Sequence, residues 1–71
     1  MQTFYDVQQL LKKFGVFVYI GDRVAEIDLM EAEIKELYQS QLIASNEFQQ
    51  SLLILRSTKN KLKNGGSSNG K

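Results

Sequence analysis

The sequence predicts an all-α fold, a compact three-helix bundle followed by a flexible C-terminal tail. Apolar residues recur at spacings of three and four along three separate segments, as in helices that each bury one face. Capping residues precede each segment, and the final stretch contains only glycine, serine, asparagine and lysine, which have nothing to bury. We therefore expect helices at residues 3–14, 22–41 and 46–63, in one domain of residues 1–64 with a flexible tail at 65–71.

The first predicted helix carries clear signals at both ends. Thr3 and Asp6 have capping-box spacing, in which each side chain accepts a hydrogen bond from the other residue's backbone N–H. Gly15 follows the last turn, where a glycine readily adopts the left-handed conformation of a Schellman motif. That motif places Leu11 against Val16, an apolar pair that the sequence supplies. The expected buried stripe consists of Phe4, Val7, Leu10, Leu11 and Phe14.

The connection between the first and second helices, residues 16–20, is β-branched and aromatic throughout. Propensity alone favours a strand, but the sequence contains no partner strand, and an unpaired strand leaves its backbone groups unsatisfied. We therefore expect an extended crossing that places alternate side chains in the core. Two positions for Phe17 and Tyr19 stay open: burial in the core, which is the favoured interpretation, and an exposed aromatic platform beside Arg23.

The second predicted helix has an N-cap residue and one apolar stripe. Asp22 accepts hydrogen bonds from first-turn N–H groups in this interpretation, and its charge suits the positive end of the helix dipole. No glycine or proline occurs in residues 39–44, so we expect a softly defined helix end near residues 40–42. The expected core positions are Val24, Ile27, Met30, Ile34 and Leu37. The expected solvated face carries Glu26, Asp28, Glu31, Glu33, Lys35 and Glu36.

The third predicted helix contains one turn that is apolar on every side, residues 52–55. Ser45 is the expected N-cap, and Glu47 lies in the first turn. A turn that is apolar all round cannot bury every side chain against one neighbour, so we expect Leu53 and Ile54 to form an exposed pair that contacts another molecule. The expected core stripe is Phe48, Leu52, Leu55 and Leu62.

The composition argues against catalysis. The chain has no cysteine and no histidine, which removes disulfides, thiolate metal sites and the commonest general base. Gly15 and Gly21 do not form a phosphate-binding loop, because no Gly-Lys-Ser/Thr sequence follows them. The carboxylates of the second helix lack the loop geometry of a calcium or magnesium site. No apolar stretch approaches the roughly 18 residues that cross a bilayer, and no signal sequence opens the chain. We expect a cytoplasmic protein that is not an enzyme and has no cofactor, metal or membrane partner.

Charge is unevenly distributed, although the formal net charge is only +1. Residues 22–38 carry six acidic side chains against two basic ones, whereas residues 56–71 carry five basic side chains and no acidic one. Two interpretations fit this asymmetry. In the favoured one, the basic residues lie near a helix C-terminus, where they interact favourably with the negative end of the helix dipole, and in a solvated tail. In the alternative, they form an anion-binding face.

Several blocks of this sequence resemble the YqgQ-like family of small cytosolic proteins from Gram-positive bacteria of the Bacillus group. The resemblance covers residues 3–56, and its most specific parts are the opening Thr-Phe-Tyr-Asp-Val-Gln-Gln-Leu-Leu and the later Tyr-Ile-Gly-Asp-Arg. It implies a compact three-helix bundle whose biochemical role is not established, with single-stranded nucleic-acid binding suggested by structural likeness. The blocks that carry the resemblance are residues 3–11, 18–23, 26–27, 30 and 36–38.

Two functional hypotheses follow from these residues. A binder of single-stranded RNA or DNA needs cations along the backbone and aromatic rings for base stacking. The short connection keeps the cations that close helix one and open helix two near each other, beside the aromatic run. The candidate nucleic-acid-binding residues are Lys12, Lys13, Phe17, Tyr19 and Arg23, with Tyr5 as a further ring. The alternative is a protein-interaction module or homodimer that acts through Leu53 and Ile54.

Overall fold

The computed structural model describes residues 2–69, with side chains for residues 2–63. The chain forms three α-helices, α1 (Phe4–Lys13), α2 (Arg23–Gln39) and α3 (Ser45–Asn69). α2 and α3 form the largest interface, and α1 packs against both. Within residues 2–69 no strand occurs, so the connection between α1 and α2 has no strand partner there. The three-helix, all-α fold predicted from the sequence is therefore confirmed.

Both ends of α1 have the predicted caps. The Asp6 N–H donates to the Thr3 hydroxyl at 3.2 Å, and the Thr3 N–H donates to the Asp6 carboxylate at 3.1 Å. At the other end, Gly15 has a φ of +77°. The Val16 N–H donates to the Leu11 carbonyl at 3.0 Å, and the Gly15 N–H makes the companion bond of the same length. These bonds form the predicted Schellman motif and turn the chain into the connection.

The end of α2 is sharper than the sequence predicts. Gln41 has a φ of 62°, in the left-handed region, although it is not a glycine. The Leu42 N–H donates to the Leu37 carbonyl at 2.9 Å, and the Gln41 N–H makes the companion bond at 2.9 Å. A second Schellman motif therefore ends α2 at Gln39. The expected position of the end, near residues 40–42, agrees with the C-cap at Ser40. The expectation that this end is softly defined is wrong, because Gln41 occupies the left-handed position that glycine usually takes.

α2 and α3 begin in different ways. The Asp22 carboxylate accepts hydrogen bonds from two backbone N–H groups in the first turn of α2, as predicted. α3 begins at Ser45, so the residue expected as its N-cap is instead its first helical residue. Ala44 precedes the helix, and its N–H donates to the Glu47 carboxylate at 2.9 Å. Because alanine has no side-chain acceptor, Glu47 closes this helix start from within the first turn, as the acidic half of a capping box does.

The end of α3 also differs from the prediction. The expected third helix ends at residue 63, before two glycines, whereas α3 continues to Asn69. The helix-propensity cost of those glycines, roughly 1 kcal/mol each, does not end the helix at that point. The predicted tail at residues 65–71 includes Gly70 and Lys71, which lie outside the described residues. Its flexibility in solution stays a prediction.

The core is built mainly from the predicted stripes. Its buried apolar members are Val7, Leu10, Leu11, Ile27, Met30, Ile34, Leu37, Ile43 and Leu55. Glu26, expected on the solvated face, is only 7% exposed, whereas Phe14 and Leu62, expected in the core, are 38% and 40% exposed. Phe14 lies at the C-cap of α1, past its last packed turn. Leu62 lies beyond the contact between Lys59 and Asp28 near the start of α2, so α2 covers it poorly.

Candidate functional site

The connection between α1 and α2 exposes two aromatic rings. Phe17 is 72% exposed and Tyr19 is 92% exposed, whereas Val16 and Val18 are partly buried against the core. This alternation is typical of an extended chain, whose successive side chains point to opposite sides. The favoured interpretation, burial of both rings, is therefore wrong, and the alternative of an exposed aromatic platform is observed. The two valines occupy the inward positions, which leaves the larger rings outside.

Both ends of the connection are held by hydrogen bonds. The Schellman motif fixes its start, and at its end the Ile20 and Gly21 N–H groups donate to the Glu26 carboxylate at 2.9 and 3.0 Å. The Arg23 guanidinium lies 3.5 Å from the other oxygen of that carboxylate. The hydrogen bonds from Gly21 and Ile20, followed by the charge of Arg23, lower the pKa of Glu26 below its ordinary value. Glu26 therefore ties the connection to α2.

Two adjoining grooves lie on the α1 side of the connection. The first, which we call the α1-side groove, has a volume of about 250 Å³ and is lined by Gln8, Lys12, Phe17 and Tyr19 among others. The second, which we call the Arg23 groove, is lined by Gln8, Tyr19 and Arg23. Because Gln8 and Tyr19 line both grooves, Lys12 and Arg23 lie along one continuous surface.

A third groove lies on the other side of the connection, against α2. Phe17, Tyr19 and Ile20 line it from the connection, and Leu29 and Glu33 line it from α2. We call it the α2-side groove. Both exposed rings therefore border the α1-side and α2-side grooves. The space around these rings is open on both sides of the connection.

The predicted cations hold different positions around the rings. Lys12 lines the α1-side groove, whereas Lys13 is exposed but lines none of the three grooves. The guanidinium carbon of Arg23 lies 4.8 Å from the centroid of the Phe4 ring, a cation–π geometry, and Arg23 also pairs with Glu26. The Arg23 side chain is still 52% exposed. The structure thus brings four of the five predicted residues to one surface and leaves Lys13 beside it.

Sequence reasoning missed two polar residues of this surface, Gln8 and Glu33. Gln8 lines the α1-side and Arg23 grooves, and Glu33 lines the α2-side groove. Helix spacing relates each of them to another residue that lines the same groove, because residues four apart lie on the same helix face. Gln8 lies four residues before Lys12, and Glu33 lies four residues after Leu29. The spacing places each pair together but does not indicate which face borders the connection.

Of the two α3 residues predicted to be exposed, only Leu53 is exposed. Leu53 is 69% exposed, whereas Ile54 is partly buried and packs against the core. Ile54 does not meet the expectation of exposure because α1 approaches this side of α3, where Phe4 and Ile54 line a common groove. Leu53 borders that groove and a second one that it lines with Leu52 and Arg56. One apolar side chain therefore protrudes where two were expected.

Opposite charges on α2 and α3 contact each other. Lys59 Nζ lies 2.6 Å from Asp28 Oδ1, and Arg56 Nε lies 3.2 Å from Glu31 Oε2. Neither interpretation of the uneven charge included this pairing between helices. Two acidic side chains of α2 are partly neutralised by it, so the acidic helix repels a nucleic-acid strand less than the sequence alone suggests.

The described part of the chain offers neither a metal site nor a membrane-spanning helix. Among these residues, no three acidic, cysteine or histidine side chains form a group that could hold a metal ion. Over the same residues, no helix combines the length and the apolar character needed to cross a membrane. Exposed rings and cations do share grooves at the connection, where Tyr19 lines one groove with Lys12 and another with Arg23.

Two comparisons with known proteins agree with each other. A family model described as YqgQ-like matches residues 1–61 of this chain. A protein described as uncharacterized protein YqgQ, from Bacillus subtilis (strain 168), is 49% identical over 65 residues, which cover 92% of this chain and 92% of that protein. The family match includes α1, α2 and the connection with its three grooves.

Proposed function

The chain belongs to the YqgQ-like family, and we propose that it binds single-stranded RNA or DNA weakly through the connection surface, which comprises Lys12, residues 16–20 and Arg23. The observation that carries this proposal is the 92% exposure of Tyr19 beside Lys12 in one groove and beside Arg23 in the next. Proteins that bind single strands combine such rings, on which bases stack, with cations that follow the phosphates.

The spacing of the two rings suits one base. Residues two apart on an extended chain lie about 6.6 Å apart on the same side. Neighbouring bases in a stack lie about 3.4 Å apart, so a gap of twice that distance admits one base between Phe17 and Tyr19. The α1-side groove, which both rings line, also contains Lys12. A phosphate attached to the inserted nucleotide is therefore within the field of this cation.

Stacking should contribute more to affinity than charge. Stacking on an aromatic side chain contributes about 1–3 kcal/mol per base. The number of phosphate contacts is limited to about three by the available cations, Lys12, Lys13 and Arg23. A plot of the logarithm of the binding constant against the logarithm of the salt concentration should therefore have a slope near −2, at about 0.7 per contact. Arg23 also pairs with Glu26, which weakens its contact with a phosphate. We expect weak binding that depends more on the rings than on the cations.

Fluorescence anisotropy with a labelled, uracil-only single strand tests this order. Tyr19→Ala should weaken binding about tenfold, from the loss of one stacking contact. Lys12→Ala should weaken it only about twofold to threefold at low salt, and this loss should shrink as salt screens the charge. The loss caused by Tyr19→Ala should persist at high salt. Tyr5→Ala is the matched control, because Tyr5 is 63% exposed but lines none of the three grooves.

Three outcomes would contradict the proposal. The first is equal loss of binding in Tyr19→Ala and Tyr5→Ala. The second is no detectable binding in low salt at tens of micromolar protein, roughly the weak limit of non-specific affinity. The third is binding that disappears with salt and is indifferent to Tyr19, which would assign it to the basic side chains of α3, namely Lys59, Lys61 and Lys63.

Self-association through α3 is the second candidate function. The observation that favours it is the 69% exposure of Leu53, which borders two grooves on α3. Exposed apolar side chains beside grooves are typical of protein contacts. In either role we propose a binding protein without enzymatic activity or cofactor that acts in the cytoplasm.

A further inference from the structure

Glu33 is a half-buried carboxylate without a partner in the described part of the structure. Three other acidic side chains of α2 are engaged, since Glu26 accepts two N–H groups and Asp28 and Glu31 pair with α3. Glu36 is exposed to water, whereas Glu33 is partly buried. Among the side chains of residues 2–63, none donates a hydrogen bond to Glu33 or pairs with it. A carboxylate partly withdrawn from water gains free energy when a ligand supplies hydrogen-bond donors. This carboxylate borders the two exposed rings.

The two sides of the connection carry opposite charges. Lys12 lines the α1-side groove and Glu33 lines the α2-side groove, and Phe17 and Tyr19 line both. A nucleotide held between the rings has its phosphate at one side and the edge of its base at the other. Lys12 attracts the phosphate and Glu33 repels it, so the backbone lies on the α1 side and the base edge faces Glu33.

We propose that Glu33 makes this surface prefer guanine and disfavour uracil and thymine, an inference that rests on the proposed single-strand binding. Guanine presents two adjacent donors on its Watson–Crick edge, N1–H and N2–H, which match the two oxygens of a carboxylate. Uracil and thymine present one N–H between two carbonyl oxygens, and a carboxylate repels those oxygens. Cytosine and adenine present one amino group and rank between them.

Two short RNAs of equal length test the inference by fluorescence anisotropy, one made only of uracil and one alternating uracil with guanine. Wild-type protein should bind the guanine-containing RNA about fivefold more tightly, the low end for a bidentate base contact because the groove is open to water. Glu33→Gln should reduce this preference to about twofold or less, because the amide has one acceptor oxygen and carries no charge. Its affinity for the uracil-only RNA should be equal to that of wild type or higher.

Glu36→Gln is the matched control, because Glu36 is exposed on the same helix and lines none of the three grooves. It removes the same charge and should change the affinity for both RNAs by the same factor. Equal binding of both RNAs by wild type overturns the inference and leaves the proposed function standing. So does an identical effect of Glu33→Gln and Glu36→Gln on both RNAs. If neither RNA binds, the proposed function and this inference both fail.

Discussion

The carboxylate of Glu26 links the candidate binding surface to the helical bundle. It is 7% exposed and accepts hydrogen bonds from the Ile20 and Gly21 N–H groups, directly after Tyr19. Two backbone donors and the nearby Arg23 stabilise its charged form, which is why its pKa is lowered. The position of the exposed ring therefore depends on a charge that stays buried behind it.

We expect the ionised form of Glu26 to contribute to the free energy of unfolding. Its folded pKa is lower than its unfolded pKa, so this contribution is complete above the unfolded value and is lost as pH falls through the folded value. The pKa of Asp6, lowered by hydrogen bonds from the Gln2 and Thr3 N–H groups, acts in the same direction. In urea unfolding, Glu26→Gln should be less stable than wild type near neutral pH, and the difference should shrink in acid.

Glu36→Gln provides the comparison for this measurement. Glu36 is an exposed carboxylate on the same helix, so its substitution should change the free energy of unfolding by no more than about 0.5 kcal/mol at neutral pH. Equal stability of Glu26→Gln and wild type at neutral pH would contradict the role of Glu26. A difference that stays constant into acid would show that side-chain shape, rather than charge, holds the connection.

At the scale of the elements, two Schellman motifs set the direction in which the chain leaves α1 and α2. The first places Gly15 at a φ of +77° and the second places Gln41 at a φ of 62°. A left-handed residue other than glycine costs about 1 kcal/mol or more. Ile43, two residues after Gln41, is buried in the core, and its burial helps to maintain this path. The second motif is therefore strained at one position.

Gln41→Gly should increase the free energy of unfolding by about 0.5–1 kcal/mol. It removes roughly 1–2 kcal/mol of left-handed strain, and the greater freedom of unfolded glycine offsets about half of that gain. Gln39→Gly is the matched control, because Gln39 is the last residue of α2 and the same substitution there should destabilise the protein by about 0.5–1 kcal/mol. Urea unfolding of both variants measures the signs, and a loss of stability in Gln41→Gly would refute the strain.

At the scale of the whole molecule, α3 faces α2 on one side and solvent on another. Arg56 and Lys59 pair with acidic side chains of α2, and Leu53 protrudes close to Arg56. A chain of 71 residues has a small core, and for domains of this size a single core contributes only about 3–5 kcal/mol. Burial of exposed apolar surface between two copies would add to that stability, which is the physical basis of the self-association hypothesis.

Leu53→Lys should convert a dimer into a monomer in analytical ultracentrifugation. Helicity should stay unchanged, because Leu53 is exposed and is not one of the core residues. Ile54 is kept in this test, since its packing against the core means that its replacement would destabilise the fold itself. Leu62→Lys is the control, because Leu62 lies on the same helix and borders neither groove of Leu53. A wild-type protein that sediments as a monomer at high concentration would remove the hypothesis.

Local signals account for the parts of the fold that were predicted correctly. The caps at Thr3 and Asp22, the glycine end of α1 and the apolar stripes are visible within a few residues of sequence. The left-handed end of α2 was missed because Gln41 does not carry the usual glycine signal. In the candidate site, the residue types were predicted, but the side of the connection on which Phe17 and Tyr19 lie was not.

The sequence by itself determined three helices, their order and the alternation along the connection, because helix periodicity, caps and the two-residue repeat depend on near neighbours. Only the tertiary structure decided that Val16 and Val18 face the core, that Glu26 binds the end of the connection, and that α1 covers Ile54. The physical reason is that each of these depends on which elements share one small core. Space taken by one side chain in that core forces its neighbour outward.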